Sequence, residues 1–198
     1  MRMFIGIGLS PSCRRAIAEA ASPLLAKCPP VSWTPERNLH VTLKFLGETP
    51  PDRTGEIASL LSRAAGGIPP FELAVEGAGA FPSLRAPRVL WVGVREPLEL
   101  VGKLHENMED ALSGAGFLRE GRPFHPHITV GRVRGGLPPG WGEEFAGVLS
   151  GKPFGVVGVC SYQLYESRLS PAGSTYIVLR DIPLGGEAVR EDREEKEK

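Results

Sequence analysis

Two copies of one short motif carry the side chains of this sequence that are best suited to chemistry. A histidine and a threonine stand two residues apart in His40-Val-Thr42 and again in His127-Ile-Thr129. Both motifs lie in runs of β-branched and aliphatic residues, a composition that favours a strand. Because alternate side chains of a strand point to the same face, each strand would offer an imidazole and a hydroxyl to one side and apolar groups to the other.

The same alternation assigns the neighbours of each motif to a face. The predicted cleft face consists of His40, Thr42, Lys44, His127 and Thr129, and the predicted core face consists of Val41, Leu43, Phe45, Ile128 and Val130. A single motif of three residues recurs by chance, and its histidine could then be an ordinary half-exposed strand residue. Two copies inside a larger duplication are harder to attribute to chance.

Paired imidazoles suit general acid–base catalysis, because histidine alone changes its charge near neutral pH without perturbation. One imidazole can take a proton from water while the other gives a proton to a leaving oxygen, each contributing roughly 10²–10⁴ in rate. Threonine hydroxyls and backbone N–H groups can hold the non-bridging oxygens of a phosphate. Neither motif strand carries a carboxylate and the sequence has no Gly-x-x-x-x-Gly-Lys-Ser/Thr loop, which disfavours magnesium-dependent transfer from a triphosphate. The pattern fits attack at phosphorus without a metal.

A zinc site is the alternative interpretation of the histidines. His125 and His127 stand two residues apart, and with His40 they could provide three ligands, leaving the fourth position to water. However, His125 is followed by Pro126 and has no counterpart beside the first motif. We therefore predict that the chain uses neither a metal nor another cofactor.

The composition is that of a globular protein without a dominant charge. Hydrophobic residues make up 41% and charged residues 23% of the 198 residues, and the formal net charge is zero. This length fits one domain, or two small lobes that share a core. Neutrality argues against a protein that coats long nucleic acid, which needs a basic surface, but permits binding of a nucleotide or an RNA end through a few placed groups.

The cysteines and the N-terminal segment indicate the compartment. Cys13, Cys28 and Cys160 show no Cys-x-x-Cys spacing, so neither a disulfide framework nor a thiolate metal site is predicted. The opening apolar run is short and lacks an Ala-x-Ala end, and no segment is long enough to span a bilayer. We expect a cytoplasmic protein with no membrane partner and no obligate protein partner.

The order of predicted elements repeats along the chain. Strand, helix, motif strand, helix and strand occur once before residue 76 and again after residue 88. Matched landmarks recur after 83 to 87 residues, and these pairs are Pro11 and Pro97, His40 and His127, and Phe71 and Phe154. Predicted helices span 11–27, 53–65 (with Asp52 as the cap), 97–113 and 141–149. Predicted strands span 4–9, 31–33, 40–46, 71–75, 89–94, 160–166 and 175–181, the last two joined by a turn at 170–173, and two further strands are predicted to begin at 127 and at 153. Residues 77–87 are predicted to form an irregular loop.

Two halves with the same order of elements, neither able to bury its sheet alone, should pack about a pseudo-twofold axis. The two His–Thr pairs would then meet in one central cleft. The predicted fold class is α+β and bilobal, with two pseudo-twofold-related lobes of antiparallel sheet and helices around that cleft. A single domain would span residues 1–186, and residues 187–198, a charge run without apolar periodicity, would form a disordered tail.

Three stretches of the sequence resemble the motifs of one known family. They are His40-Val-Thr-Leu-Lys-Phe-Leu-Gly47, Phe124-x-Pro-His-Ile-Thr-Val-Gly-Arg132 and Leu164-Tyr-Glu-Ser-Arg-Leu-Ser-Pro-x-Gly173. The family is the two-histidine (2H) phosphoesterases, and the greatest similarity is to the bacterial and archaeal RNA 2′,3′-cyclic phosphodiesterases, historically called 2′-5′ RNA ligases. The resemblance covers nearly all of residues 2–182. It implies a bilobal α+β fold and an enzyme that opens a 2′,3′-cyclic phosphate, on an RNA 3′ end or a nucleotide, to a 2′-phosphomonoester.

The resemblance also implies roles for the four motif residues. His40 would be the proton donor and His127 the proton acceptor, while Thr42 and Thr129 would hold the phosphate. The alternative from another class is a nucleotide-binding module of the same fold without turnover, and the intact motifs favour the enzyme. Reversible 2′-5′ RNA ligation, or hydrolysis of a small cyclic phosphodiester, would use the same residues.

Arg132 is a further candidate for substrate binding. Strict alternation places it on the face of Ile128, so that it reaches the phosphate only if the strand bends at Gly131. A salt bridge at the edge of a lobe is the alternative role.

Aromatic residues near the motifs could stack on a base, although the core is the expected place for any one of them. The candidates are Trp33, Phe45, Phe124 and Tyr165. His105 lies within a predicted helix among polar neighbours and is expected to be a surface residue.

Overall fold

The computed structural model describes residues 1–27, 30–95, 98–170 and 173–185. Two expected features, the proline that opens the third helix and the charged tail at 187–198, lie outside these residues, as does part of the 170–173 turn. Within them, the helices and strands in chain order are β1 (Arg2–Gly8), α1 (Pro11–Leu25), β2 (Val31–Trp33), β3 (His40–Glu48), α2 (Thr54–Ala64), β4 (Phe71–Phe81), β5 (Val89–Arg95), α3 (Leu98–Ser113), β6 (His127–Val133), α4 (Trp141–Leu149), β7 (Pro153–Val159), β8 (Ser161–Ser170) and β9 (Gly173–Pro183).

The strands form one antiparallel sheet whose midline separates the two motif strands. The strand order is β7-β4-β5-β6-β3-β1-β8-β9, with β2 also paired to β6. One lobe therefore consists of β1, β3, β8 and β9, and the other of β4 to β7. The predicted α+β bilobal architecture with a central cleft is confirmed.

The sequence halves and the spatial lobes do not coincide, contrary to the simplest form of the prediction. The last strand of the first half, β4, pairs with β5 and β7 of the second lobe, and the hairpin β8–β9 completes the first lobe. The helices are exchanged as well, since α1 packs on β7 and α4, whereas α3 packs on α2. The duplicated halves are thus interlocked, which makes each lobe dependent on both halves for its core.

Buried aliphatic side chains on the back of the sheet hold the motif strands in place. Each of these residues is at most 3% exposed, and the central ones are Ile5, Ile7, Val41, Leu43, Leu90, Val92, Ile128 and Val130. Burying a side chain of this size contributes roughly 1.5–3 kcal/mol. The apolar face predicted from alternation therefore anchors the strands from behind and leaves their other face toward the cleft.

Two local predictions are wrong. Asp52 does not cap α2, because Pro51–Arg53 form a short 3₁₀ turn and the helix begins at Thr54 without a side-chain cap. The segment after residue 75 is not an irregular loop throughout, because β4 continues to Phe81. The sheet register shifts between Val75 and Ala78, where Gly77 has a φ of 77°, and this bulge interrupts the alternation that would have indicated a longer strand.

Candidate active site

The four motif side chains converge because β3 and β6 are paired at one point. Val41 lies opposite Ile128 in an antiparallel register. The same register sets Thr42 opposite His127 and His40 opposite Thr129, on the other face of the sheet from the buried pair. The two histidines therefore occupy one diagonal of a quadrilateral and the two threonines the other. We call these four residues the His–Thr quartet.

A β-bulge in β3 alters the faces that strict alternation assigns beyond Thr42. Gly6 pairs with Thr42 and Ile5 pairs with Lys44, so that Leu43 is the extra residue. After this bulge Lys44 points into the protein, where it is 3% exposed, and Phe45 points to the cleft, where it is 58% exposed. The prediction that Lys44 shares the face of His40 and that Phe45 belongs to the core is therefore wrong.

A second bulge, in β6, brings Arg132 to the cleft, whereas the bulge in β3 buries Lys44. Trp91 pairs with Thr129 and Leu90 pairs with Gly131, so that Val130 is the extra residue. Arg132 is exposed and lines the same cavities as Thr129. The bend on which its access depends is thus present, one residue earlier than Gly131.

Hydrogen bonds fix the ring of His40 on both sides. Its Nδ1 is 2.7 Å from the carbonyl oxygen of Asn38, and its Nε2 is 2.9 Å from Oγ1 of Thr42. Because a carbonyl only accepts, Nδ1 carries a proton and Nε2 is the nitrogen that can exchange one in the cleft. Asn38 is buried and donates from Nδ2 to the carbonyl of Ser174, 2.6 Å away, which ties the support of His40 to the hairpin β8–β9.

The backbone of β1 must come close to this ring. A Cβ on Gly6 would lie 2.8 Å from the carbonyl oxygen of Val41 and 3.1 Å from Cδ2 of His40. Any larger residue would displace the motif strand or the imidazole. The backbone of β1 can approach the motif strand this closely because residue 6 is a glycine.

His127 is held in the same way on one side only. Its Nδ1 donates to the carbonyl oxygen of His125, 2.7 Å away, and the rings of Phe81 and His127 meet edge-on, their centroids 5.0 Å apart. Among the described residues, no side chain forms a hydrogen bond with Nε2 of His127, whereas Thr42 engages the equivalent atom of His40. The two imidazoles therefore share a tautomer but differ in how open their cleft-facing nitrogens are.

Burial is the main influence on the charge of both histidines. It lowers the pKa of His40 below the usual 6.5; the bond to Asn38 acts in the opposite direction, and a charge on His127 would lower the pKa further. Burial likewise lowers the pKa of His127; the bond to His125 opposes this, and the charges of His125 and Arg132 reinforce it. In the free protein at neutral pH, both rings are therefore mainly neutral.

Two cavities meet at the quartet. The aromatic cavity, about 360 Å³, is lined among others by Phe45, Phe81, His105, Phe124 and His127. The arginine cavity, about 620 Å³, is lined among others by Arg2, Phe4, His40, Arg134 and Tyr176. Thr42, Phe45, Thr129 and Arg132 border both. No aspartate or glutamate is among the described residues that line the arginine cavity, so its surface suits an anion.

His105 is not the surface residue that its helical context predicts. Its side chain is only 12% exposed, and its ring stacks on Phe124 with the centroids 4.0 Å apart. Burial lowers its pKa, and the nearby charge of Glu109 acts against this. Its neighbours in the sequence are polar, but the loop that brings Phe124 over it cannot be read from helical periodicity.

The aromatic candidates separate into two groups. Phe45 and Phe124 line the aromatic cavity, whereas Trp33 packs near Trp141 and Tyr165 stacks on Phe4. Sequence reasoning missed several residues that line the cleft, namely Arg2, Phe4, Phe81, Arg134 and Tyr176. Alternation along β9 could have indicated Tyr176, but nothing in the sequence shows that β9 reaches the cleft. Among the described residues no three His, Cys, Asp or Glu side chains lie together as a metal site would require.

A duplicated antiparallel sheet with a His–Thr pair from each half at its midline is the architecture of the two-histidine phosphoesterases. A family model described as LigT-like phosphoesterase matches the chain twice, at residues 7–91 and 92–176. The chain therefore belongs to the LigT-like phosphoesterase family, and each sequence half corresponds to one copy of the family's repeat.

Individual relatives match over nearly their whole length. A Thermotoga maritima protein named RNA 2′,3′-cyclic phosphodiesterase is 36% identical over 190 residues, which cover 96% of this chain and 99% of the relative. An Archaeoglobus fulgidus protein of the same name is 36% identical over 187 residues, 91% of this chain and 98% of the relative. None of the helices in the described residues combines the length and apolar composition that crossing a membrane requires.

Two solved structures have the same fold. A crystal structure of a Thermus thermophilus protein has a TM-score of 0.75 at 30% identity, covering 94% of this chain and all of that one. The crystal structure of E. coli LigT complexed with 3′-AMP has a TM-score of 0.71 at 29% identity, covering 93% of this chain and 98% of the other.

Proposed function

We propose that this chain is an RNA 2′,3′-cyclic phosphodiesterase that opens the cyclic phosphate to a 2′-phosphomonoester, with His40 and His127 as its acid and base. The observation that carries the proposal is the His–Thr quartet, in which two imidazoles and two hydroxyls face one cleft across the β3–β6 register. The names of the T. maritima and A. fulgidus relatives support this substrate. The 3′-AMP in the E. coli structure supports a site for a nucleotide that bears a phosphate.

The chemistry requires one proton to be removed and one to be delivered on opposite sides of phosphorus. Nε2 of His127 takes a proton from water as the water oxygen bonds to phosphorus. The bond between phosphorus and O3′ breaks, and Nε2 of His40 delivers its proton to O3′, which leaves the phosphate on O2′. Diagonal placement of the imidazoles suits this division because the attacking and leaving oxygens lie roughly in line.

The unequal surroundings of the two rings support this assignment of roles. Nε2 of His127 makes no hydrogen bond to a described side chain, so its lone pair is available to a water molecule. Nε2 of His40 is 2.9 Å from the hydroxyl oxygen of Thr42. When Nε2 is protonated, this oxygen can accept a hydrogen bond from Nε2–H and so keep the proton near the leaving oxygen. The anionic phosphate would raise the pKa of His40 on binding, because an adjacent opposite charge favours the protonated ring.

The polar groups between the rings would hold the phosphate itself. Thr42, Thr129 and Arg132 border both of the cavities that His40 and His127 line. A guanidinium can bind two phosphate oxygens at once, and hydroxyls donate to the charge that develops during the reaction. This donor set requires no metal to stabilise the transition state.

Two related activities would use the same groups. Attack by a 5′-hydroxyl instead of water would break the same bond to O3′ and form a 2′-5′ linkage, which is RNA ligation. A nucleotide-binding module without turnover is the alternative from another class. The open Nε2 of His127 favours an enzyme, because binding alone does not need an unengaged base.

The test is an assay with 2′,3′-cyclic mononucleotides and with oligonucleotides that end in a cyclic phosphate, the product isomer being identified by ³¹P NMR. We expect 2′-phosphates, at a rate that EDTA does not lower. Products with a 3′-phosphate, or loss of activity in EDTA with recovery on adding zinc, would contradict the mechanism. Binding of the cyclic nucleotide without product in a single-turnover experiment would favour the module.

A further inference from the structure

A buried ion pair stands behind the cleft, directly beyond the first motif. Nζ of Lys44 donates to Oε1 of Glu109 at 2.6 Å, and the two side chains are 2% and 4% exposed. Every other pair between an acid and a lysine or arginine in the described residues has an exposed partner. Burying two charges is costly unless further hydrogen bonds satisfy them. The other hydrogen bonds of Lys44 and Glu109 therefore indicate which part of the structure the ion pair supports.

Those remaining bonds go to one segment of backbone. Lys44 also donates to the carbonyl oxygen of Leu118 at 2.8 Å, and Oε2 of Glu109 accepts from the backbone N–H of Glu120 at 3.3 Å. Both acceptor and donor belong to residues 114–126, which connect α3 to β6 without helix or strand of their own. We call residues 114–126 the approach segment, because it leads directly into the second motif.

A stacked pair continues the contact from the ion pair to His127. Nε2 of His105 lies 3.7 Å from Oε1 of Glu109, and the His105 ring stacks on Phe124 at an interplanar angle of 8°. Phe124 precedes His125, whose carbonyl oxygen accepts the hydrogen bond that fixes the His127 ring. Contacts therefore run without interruption from the β3 motif strand to the imidazole of the second motif.

We propose that Lys44 and Glu109 are positioning residues for the proposed reaction, holding the approach segment so that the carbonyl of His125 orients His127. The proposal rests on the proposed function. The bulge at Leu43 fits this role, because beyond it Lys44 is buried at the edge of the aromatic cavity and reaches the segment. A displacement of about 1 Å in a reacting group can cost on the order of 100-fold in rate, so a segment without regular structure needs such an anchor.

The experiment compares Lys44→Met and Glu109→Gln with the double variant Lys44→Met/Glu109→Leu. Removing one partner leaves the other as a buried charge without a counter-charge and should destabilise the protein. Replacing both partners with apolar residues should restore stability in urea. The double variant still leaves the Leu118 carbonyl and the Glu120 N–H without their partners. We therefore expect its kcat to stay about 10- to 100-fold below that of the natural protein, with a smaller change in KM, and hydrogen exchange in residues 117–124 to be faster.

Lys27→Met is the matched control, because Lys27 also pairs with a glutamate, Glu144, but on the exposed surface. It should leave stability, kcat and exchange unchanged. A double variant that regains kcat together with stability would overturn the proposal, since the pair would then serve stability alone. If the natural protein hydrolyses no cyclic phosphate, the proposed function is wrong, and hydrogen exchange then tests the anchoring on its own. Unchanged exchange in residues 117–124 of the double variant would overturn the proposal that the ion pair holds the approach segment. If a single variant does not fold, the double variant alone decides.

Discussion

Replacing His40 or His127 with alanine should abolish most activity without a matching loss of stability. An acid or base typically contributes 10²–10⁴ in rate, so each variant should lose about 3–5 kcal/mol of transition-state stabilisation. Because the two imidazoles act in one step of the proposed mechanism, the double variant should be little worse than either single variant. His125→Ala is the comparison, since it removes an exposed ring and keeps the carbonyl that orients His127, and its loss should be within about tenfold.

The structure also predicts how stability responds to pH in these variants. Burial holds the pKa of both rings below 6.5 in the folded protein. Below pH 6.5 the unfolded chain therefore binds protons that the folded chain does not, so the free energy of unfolding falls as the pH falls toward the depressed folded values. Each alanine variant lacks one of these contributions and should lose less stability than the natural protein on acidification.

The assay is urea unfolding of the natural protein and both variants at about pH 8 and about pH 5, alongside steady-state kinetics. Removing each ring leaves a cavity and, for His40, also removes the contact with Phe4, whose ring centroid lies 4.9 Å away. This loss of unfolding free energy is about the same at both pH values. The difference between the two pH values therefore isolates the titration. Parallel stability curves for all three proteins would refute the inference of buried neutral rings, and a variant that kept its full kcat would refute acid–base catalysis.

Three further predictions follow from the same site. The pH profile of kcat/KM should be bell-shaped with its maximum below pH 6.5, because burial holds the pKa values of both histidines below 6.5. The two apparent pKa values of the profile will describe the coupled pair and not either histidine alone. A maximum well above pH 7 would contradict the inference that burial lowers both pKa values. Thr42→Val and Thr129→Val should each cost about 1–3 kcal/mol in kcat/KM, with the larger loss at Thr42 because it also bonds His40; negligible losses in both would count against phosphate binding by the hydroxyls, and equal losses would count against the added role of Thr42 beside His40. Arg132→Gln should lower kcat/KM and Arg132→Lys should restore only part of it, because an ammonium does not match the bidentate geometry; the exposed Arg63→Gln serves as control, and full recovery with lysine would show that charge alone matters.

Much of the fold could be predicted because it depends on short-range patterns. Alternation identified the motif strands and, as far as the bulges at Leu43 and Val130, their buried faces. The repeat of landmarks predicted that the two motifs would meet at a midline. The pairing of Val41 with Ile128 confirms that convergence. The exchange of β4 and of the helices between lobes was not predicted, because an internal repeat specifies the order of elements but not which copy supplies the neighbour in the sheet.

The wrong faces that alternation assigns to Lys44, Phe45 and Arg132 have one physical origin. A β-bulge adds a residue to one strand and reverses the alternation beyond it. No residue type marks the bulges at Leu43 and Val130, since both are ordinary aliphatic strand residues that are buried on the core face. They arise from pairing with β1 and β5, strands that lie far away in the sequence, so a reading of local composition cannot detect them.

The two bulges together decide which cation is exposed beside the His–Thr quartet and which is buried. With strict alternation, the ammonium of Lys44 would face the cleft and the guanidinium of Arg132 would face the core. The bulges reverse both: Lys44 is buried against Glu109, and Arg132 lines the cleft beside Thr129. A guanidinium stays charged and offers paired donors to a phosphate, whereas an ammonium is a compact, strongly hydrated point charge. The bulge in β3 likewise places Lys44 where it contacts the approach segment. Under the two proposals made above, the bulge in β6 would serve phosphate binding and the bulge in β3 would serve the positioning of His127.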